Sequence, residues 1–250
     1  MSLDPRILGV RVDPTSYEAA TAKILSWAKN GETRLICVAN VHMIMEAYDS
    51  PSFKNIVNGA DMVTPDGMPL VWAMRQLGFS HQERVYGPEL TLRLVEMAAR
   101  EGISVGFYGG SSRTLERLVT VFKEKHPSLD IAYFHSPPFR PLTAEEDEES
   151  IREINSSKPR ILFVGLGCPK QERWMAEHRG QIQSVMIGVG AAFDFYAGTK
   201  RQAPAWLQNL GLEWLFRLGL EPGRLWRRYL FHNPRFLFFL LPQILLRRKE

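Results

Sequence analysis

The stretch "RILFVGLGCPKQERW", residues 160–174, decides the fold class. Ile161 to Val164 form an unbroken apolar run, the signature of a strand buried on both faces. Gly165 and Gly167 end that run, and Pro169 stands where a helix would start, with Lys170 just behind it. One such strand–glycine loop–helix unit is weak evidence, because tight turns need glycine for geometry alone. Working outward, the pattern recurs. Strands are expected at 34–40, 103–110, 130–135, 160–167 and 184–190, with helices at 15–29, 87–100, 112–125, 144–156 and 170–179. The helix over 112–125 sets Leu115, Leu118, Val119 and Phe122 on one face. Apolar strands alternating with amphipathic helices predict an α/β fold, a Rossmann-like, mostly parallel sheet covered by helices on both faces. Ligands of such sheets bind where the strands end and the loops gather.

Composition narrows the class. The 250 residues are 45% hydrophobic and 23% charged, as expected of a globular chain. Cys37 and Cys168 are the two cysteines, too few for a disulfide framework or a metal knuckle. The start of the chain lacks the basic-then-apolar pattern of a signal peptide, and no apolar run reaches the roughly 18 residues of a membrane span. The net charge of +4 is unevenly spread. Residues 201–250 hold nine Lys or Arg against three Glu, which leaves residues 1–200 at −2. We therefore expect two parts, an α/β core over 1–200 and a basic, aromatic helical appendage over 201–250, broken into short helices by Pro222, Pro234 and Pro242. Such a composition suits an anionic membrane surface, or helices packed on the sheet with their arginines snorkelling outward. Nucleic acid is not expected, since the basic and aromatic residues mix in one strongly apolar tail.

Three glycine loops end strands. "FYGGSS" supplies Gly109, Gly110 and Ser111 directly before a helix. "VGLGCPKQERW" supplies Gly167, Pro169, Lys170 and Gln171, and "IGVGAAFDFYAG" supplies Phe193 and Asp194. Three at one sheet edge point to a nucleotide or phosphorylated ligand, held by backbone N–H groups and helix N-termini. The nucleotide signatures G-x-x-x-x-G-K-[ST] and G-x-G-x-x-G are both missing, and neither an Asp-x-Asp nor a His/Cys/carboxylate set at ligand spacing occurs. No metal cofactor is expected, so side-chain cations such as Lys170 and the tail arginines would neutralise a leaving diphosphate.

Asp66 stands in the Thr-Pro-Asp-Gly turn of "GADMVTPDGMPLVWAMRQLG", residues 59–78, between a short apolar run and a helix-like segment. It reads either as a helix N-cap or as a functional carboxylate held by a rigid turn.

Together, "ANVHMIMEA", "ADMVTPDGMPLVWA", "RVYGPEL", "GFYGGS", "GLGCPKQERW" and "GVGAAFDFYAG" resemble, in order and over about residues 7–235, the motifs of the WecG/TagA/CpsF glycosyltransferases, glycosyltransferase family 26. The resemblance implies an inverting, metal-independent glycosyltransferase on the cytoplasmic face of a bacterial membrane. Such enzymes move a sugar from a UDP-sugar to a polyprenyl-diphosphate-linked saccharide, building teichoic acid, enterobacterial common antigen or exopolysaccharide. It also implies a C-terminal membrane-targeting appendage. Asp66 takes the place of the family's proposed base, with Asn40 and His42 beside it. Gly109, Gly110, Ser111, Gly167, Pro169, Lys170, Gln171, Phe193 and Asp194 fall near the nucleotide sugar. Arg84, Arg217, Arg224, Arg227 and Arg228 are candidates for phosphate, lipid diphosphate or anionic headgroups. Met68-Pro69 and Glu89 depart from the usual motifs and leave the sugar open between N-acetylmannosamine, its uronic acid and glucose. A non-catalytic nucleotide-sugar-binding assembly module is the alternative, and a homo-oligomer would cover the tail's apolar surface.

Overall fold

The structure, a computed structural model, describes residues 4–247. A short hairpin opens the chain, β1 (Arg6–Ile7) and β2 (Val10–Arg11). Leu8 at φ 52° and Gly9 at φ 79° give it the two positive φ values of a type I′ turn. Then come α1 (Tyr17–Lys29), β3 (Arg34–Ala39), α2 (Val41–Asp49), α3 (Pro51–Asn58), β4 (Met62–Pro65) and α4 (Met68–Gln76). The middle alternates: α5 (Gly87–Glu101), β5 (Val105–Gly109), α6 (Ser112–Lys125), β6 (Ile131–His135), α7 (Ala144–Ser157), β7 (Ile161–Gly165), α8 (Lys170–Glu177), β8 (Val185–Gly188) and α9 (Ala192–Tyr196). Three helices close the chain: α10 (Ala205–Asn209), α11 (Glu213–Leu220) and α12 (Pro222–Arg247).

Six strands form one sheet in the order β4-β3-β8-β7-β5-β6. The pairs β3–β8, β8–β7, β7–β5 and β5–β6 are all parallel. Every residue of β5 and β8 is buried, as are the first four of β7. Successive side chains point to opposite faces, so helices must cover both. The expected α/β architecture is what the structure has. The five expected strands and five expected helices all occur, within about two residues at most ends.

The structure adds the β1–β2 hairpin, α2, α3 and α9 to the expected elements. Asn40 starts α2 by accepting a hydrogen bond from the Met43 N–H at 3.3 Å, and Ser50 with Pro51 starts α3. Both are ordinary helix starts, hidden in a stretch where two short helices follow one another with a single residue between them.

The chain divides into two compact units. One comprises the residues up to Ser16, Val38–Tyr86 and the chain from Gln202 onward; the other comprises Tyr17–Cys37 and Gly87–Arg201. In the first unit, α12 corrects the expectation of short helices separated by prolines. Pro222 stands at its start, where a missing N–H costs nothing, but Pro234 and Pro242 lie inside one continuous helix. An interior proline costs about 3 kcal/mol. Against that, Leu225, Tyr229, Phe236 and Leu240 are buried along one face of the helix, each contributing roughly 1.5–3 kcal/mol. Arg235 adds a two-pronged pair with Asp49 of α2 at 2.6 and 2.9 Å. Gln243 accepts from the Leu8 N–H and donates to the Arg6 carbonyl, tying the helix to the hairpin. No helix among the described residues is long and apolar enough to cross a membrane.

Candidate active site

In the first unit, β4 ends at Pro65 and delivers Asp66 to a turn anchored by its own N–H, which donates to the Ala39 carbonyl at 2.8 Å. The helix that follows is capped by Gly67, with no side-chain cap. The N-cap reading of Asp66 therefore fails: the carboxylate points elsewhere. Arg84 Nη2 donates to its Oδ1 at 3.2 Å, and Arg84 Nε donates to its backbone carbonyl. The same Nη2 donates to Glu213 of α11 at 2.6 Å, and Nη1 donates to Gln208 at 3.3 Å. The Tyr86 hydroxyl donates to the other Glu213 oxygen at 3.1 Å, and the Arg84 guanidinium lies 4.0 Å from the centre of the Tyr86 ring.

Two carboxylates thus share one guanidinium, and the sharing sets the chemistry of Asp66. Its side chain is 15% exposed. Burial pushes the carboxyl up, Arg84 holds it down, and Glu213 pushes it up again, to about 6. Desolvation wins because one arginine must serve both acids. A carboxylate poised near neutrality is suited to take up a proton.

Asp66 lies at the polar end of a cavity of about 460 Å³ within this unit. Asn40, His42, Arg84, Arg217 and Arg228 also line it, while α4, α11 and α12 supply Met68, Trp72, Trp214, Phe236, Leu240 and Ile244 to its apolar walls. Of the residues expected from the sequence, Asp66, Asn40, His42, Arg84, Arg217 and Arg228 are brought together here. Arg224 and Arg227 are not: both are exposed, Arg224 pairing with Glu221 and Arg227 lying over Trp226. Glu213, Tyr86 and Gln208 were not anticipated. A glutamate set within a basic tail was the available signal for Glu213. His42, Glu46 and His232 form the one group of metal-capable side chains gathered among the described residues.

In the second unit, the glycine loops follow β5, β7 and β8, which are adjacent parallel strands. A Cβ at Gly109 (φ 114°) would lie 2.7 Å from the Gly165 backbone, so the first two loops touch where only glycine fits. Ser111 caps α6 by accepting from the Thr114 N–H at 3.1 Å. Gln171 is buried, and its Oε1 accepts from the N–H groups of Gly167 and Gly190 at 3.0 and 3.1 Å while its Nε2 donates to Glu172. It stitches the second loop to the third. Phe193 is 2% exposed and packs edge-on to Phe107 beneath the loops. Asp194 pairs with Lys200 at 3.0 Å and accepts from the Thr199 hydroxyl. Pro169 follows a cis peptide bond, and Lys170 is exposed at the start of α8. Gly110 and Gly167, at φ 74° and 83°, complete the loops.

This combination of motif and geometry agrees with comparison to known proteins. The model of the Glycosyl transferase WecG/TagA/CpsF family matches residues 5–250. The chain belongs to that family. It is a glycosyltransferase. Among its relatives is the N-acetylglucosaminyldiphosphoundecaprenol N-acetyl-beta-D-mannosaminyltransferase of Staphylococcus aureus (strain NCTC 8325 / PS 47), 29% identical over 88% of this chain and 86% of the relative. A protein of the same name from Bacillus spizizenii (strain ATCC 23059 / NRRL B-14472 / W23) is 30% identical over 78% of this chain and 74% of its own length.

Proposed function

We propose that this glycosyltransferase moves a sugar of the N-acetylmannosamine type from a UDP-sugar to a polyprenyl-diphosphate-linked saccharide, with inversion, at the inner face of the cell membrane. The observation that carries the reading is Asp66, a buried carboxyl with its pKa near 6 at the polar end of an apolar cavity. An acceptor hydroxyl bound there gives its proton to Asp66 as its oxygen bonds to the anomeric carbon. The bond from that carbon to the UDP oxygen breaks on the opposite face, and UDP leaves with the electron pair. Asn40 orients the acceptor or the base. Arg84 is a positioning residue, since its donors are engaged by Asp66, Glu213 and Gln208. Arg217, Arg228 and Lys170 are the cations assigned to phosphate, with no metal at this step.

The glycine loops of the second unit take the nucleotide, through backbone N–H groups and the N-terminus of α6. Gln171 supports that role by fixing two loops rather than by touching the base. The apolar cavity walls suit an isoprenoid chain. On α12, Phe231, Phe238 and Leu245 are 58%, 71% and 57% exposed, and Arg224 and Arg227 are exposed nearer its start, a surface matched to an anionic bilayer. The names printed for the relatives motivate the choice of sugar and acceptor.

The test is UDP release from a panel of UDP-sugars with a detergent-solubilised polyprenyl-diphosphate N-acetylglucosamine. Turnover of one donor, lost in Asp66→Asn, is expected. An Asp66→Asn protein that keeps full turnover removes the base, and no turnover by folded wild type with any donor removes the reading. Turnover abolished by EDTA and restored by Mg²⁺ would overturn the assignment of the diphosphate charge to side chains.

A further inference from the structure

His42 and Glu46 sit one turn apart on α2, on the face that α12 covers, and His232 of α12 meets them there. His42 Nδ1 lies 3.7 Å from Glu46 Oε1, and His232 Nε2 lies 3.7 Å from the same oxygen. All three donor atoms fall within 4.8 Å of one another. A separation of 3.7 Å is too long for a hydrogen bond. It is close to the roughly 3.4 Å between two donors that each sit about 2.1 Å from one ion at tetrahedral angles. We propose that His42, Glu46 and His232 form a binding site for one transition-metal dication of the Zn²⁺ class, joining α2 to α12.

Charge argues for a cation rather than a phosphate. A carboxylate between the two imidazoles repels an anion, and with both rings neutral the set carries −1. The Nδ1 of His232 is buried without a hydrogen-bond partner, so no structural hydrogen bond through that atom accounts for the ring's placement. The frame is held independently of any ion. One turn further along each helix, Arg235 pairs with Asp49, and Tyr48 stacks on Phe239 at 4.7 Å. Nitrogen and carboxylate donors suit Zn²⁺, Co²⁺ or Ni²⁺ better than Mg²⁺ or Ca²⁺, which prefer all-oxygen sets. His42 and His232 also line the Asp66 cavity, so water has access to the remaining coordination positions.

The inference concerns metal binding and stands whether or not the proposed transfer is correct. The full chain, free of any affinity tag and stripped with EDTA, is titrated with Co²⁺ while its visible d–d absorption is followed, then with Zn²⁺ by calorimetry. One equivalent of Co²⁺ is expected, displaced by Zn²⁺, with affinity falling roughly 100-fold or more in His232→Ala. Glu46→Gln, nearly isosteric at a half-exposed position, should fold normally and still weaken binding. Zn²⁺ should raise the melting temperature of wild type and not of Glu46→Gln. No saturable binding, or binding unchanged in Glu46→Gln and in His232→Ala, would overturn the site.

Discussion

The two units handle charge in opposite ways. In the second, three loops after adjacent strands present glycine backbone, and the one buried amide among them, Gln171, spends its Oε1 on the N–H groups of Gly167 and Gly190. In the first, the polar groups are long side chains drawn together inside an apolar cavity, where two acids share Arg84. Backbone N–H groups carry fixed partial charges that do not titrate. A buried carboxylate answers to every neighbouring charge, because little water screens it. On the function proposed above, binding by shape and partial charge falls to the loops and proton transfer to a destabilised acid.

The strongest way to break this contrast is Asp66→Asn. Activity should fall by about 10²–10⁴, while calorimetric affinity for UDP stays unchanged, as the proposed placement of the nucleotide on the other unit requires. The same substitution should stabilise the protein at neutral pH. The folded pKa of Asp66, about 6, lies above its ordinary value of 3.8. The protonated carboxyl therefore favours the fold, and that contribution is fully present below about pH 4 and lost as pH rises through 6. Denaturant melts at pH 4 and pH 7 should show wild type losing on the order of 1–3 kcal/mol relative to Asp66→Asn. Equal stability at both pH values would remove the buried-acid account.

The shared arginine can be tested from both sides through the pH dependence of kcat/KM. Wild type should gain activity through about pH 6 as Asp66 deprotonates. Arg84→Gln removes the cation that lowers this pKa, so the acid limb should move up and the rate fall roughly 10–100-fold. Glu213→Gln removes the acid that raises it, so the limb should move down. A profile that shifts the same way in both variants would refute the sharing.

On the loop side, Gln171→Leu removes the acceptor of two loop N–H groups and one donor to Glu172. A stability loss of about 2–4 kcal/mol is expected, with a raised KM for the nucleotide sugar and an unmoved acid limb. A shifted limb would mean that the two regions are not separable in this way. The smallest effect belongs to the outer face of α12. Phe238→Glu with Leu245→Glu should weaken binding to anionic vesicles several-fold and leave turnover of a detergent-solubilised acceptor intact. Unchanged vesicle binding would direct the membrane contact elsewhere.

Much of the molecule was legible before any coordinates. The apolar runs at 103–110, 160–167 and 184–190 and the glycines that end them gave the parallel sheet and its glycine-loop edge, because strand burial and turn geometry are written within a few neighbouring residues. The ordered motifs named the family for the same reason, and Asp66 could be singled out from its Pro-Asp-Gly turn. What that carboxylate does was decided by groups far away in sequence. Arg84 and Glu213 stand 18 and 129 positions along the chain from Asp66 and from Arg84 respectively. His232 reaches His42 and Glu46 only because α12 packs on α2. Local periodicity reports what one element buries. A pKa or a ligand set is a sum over distances through space, and those distances exist only once burial of the stripe along α12 has closed the first unit.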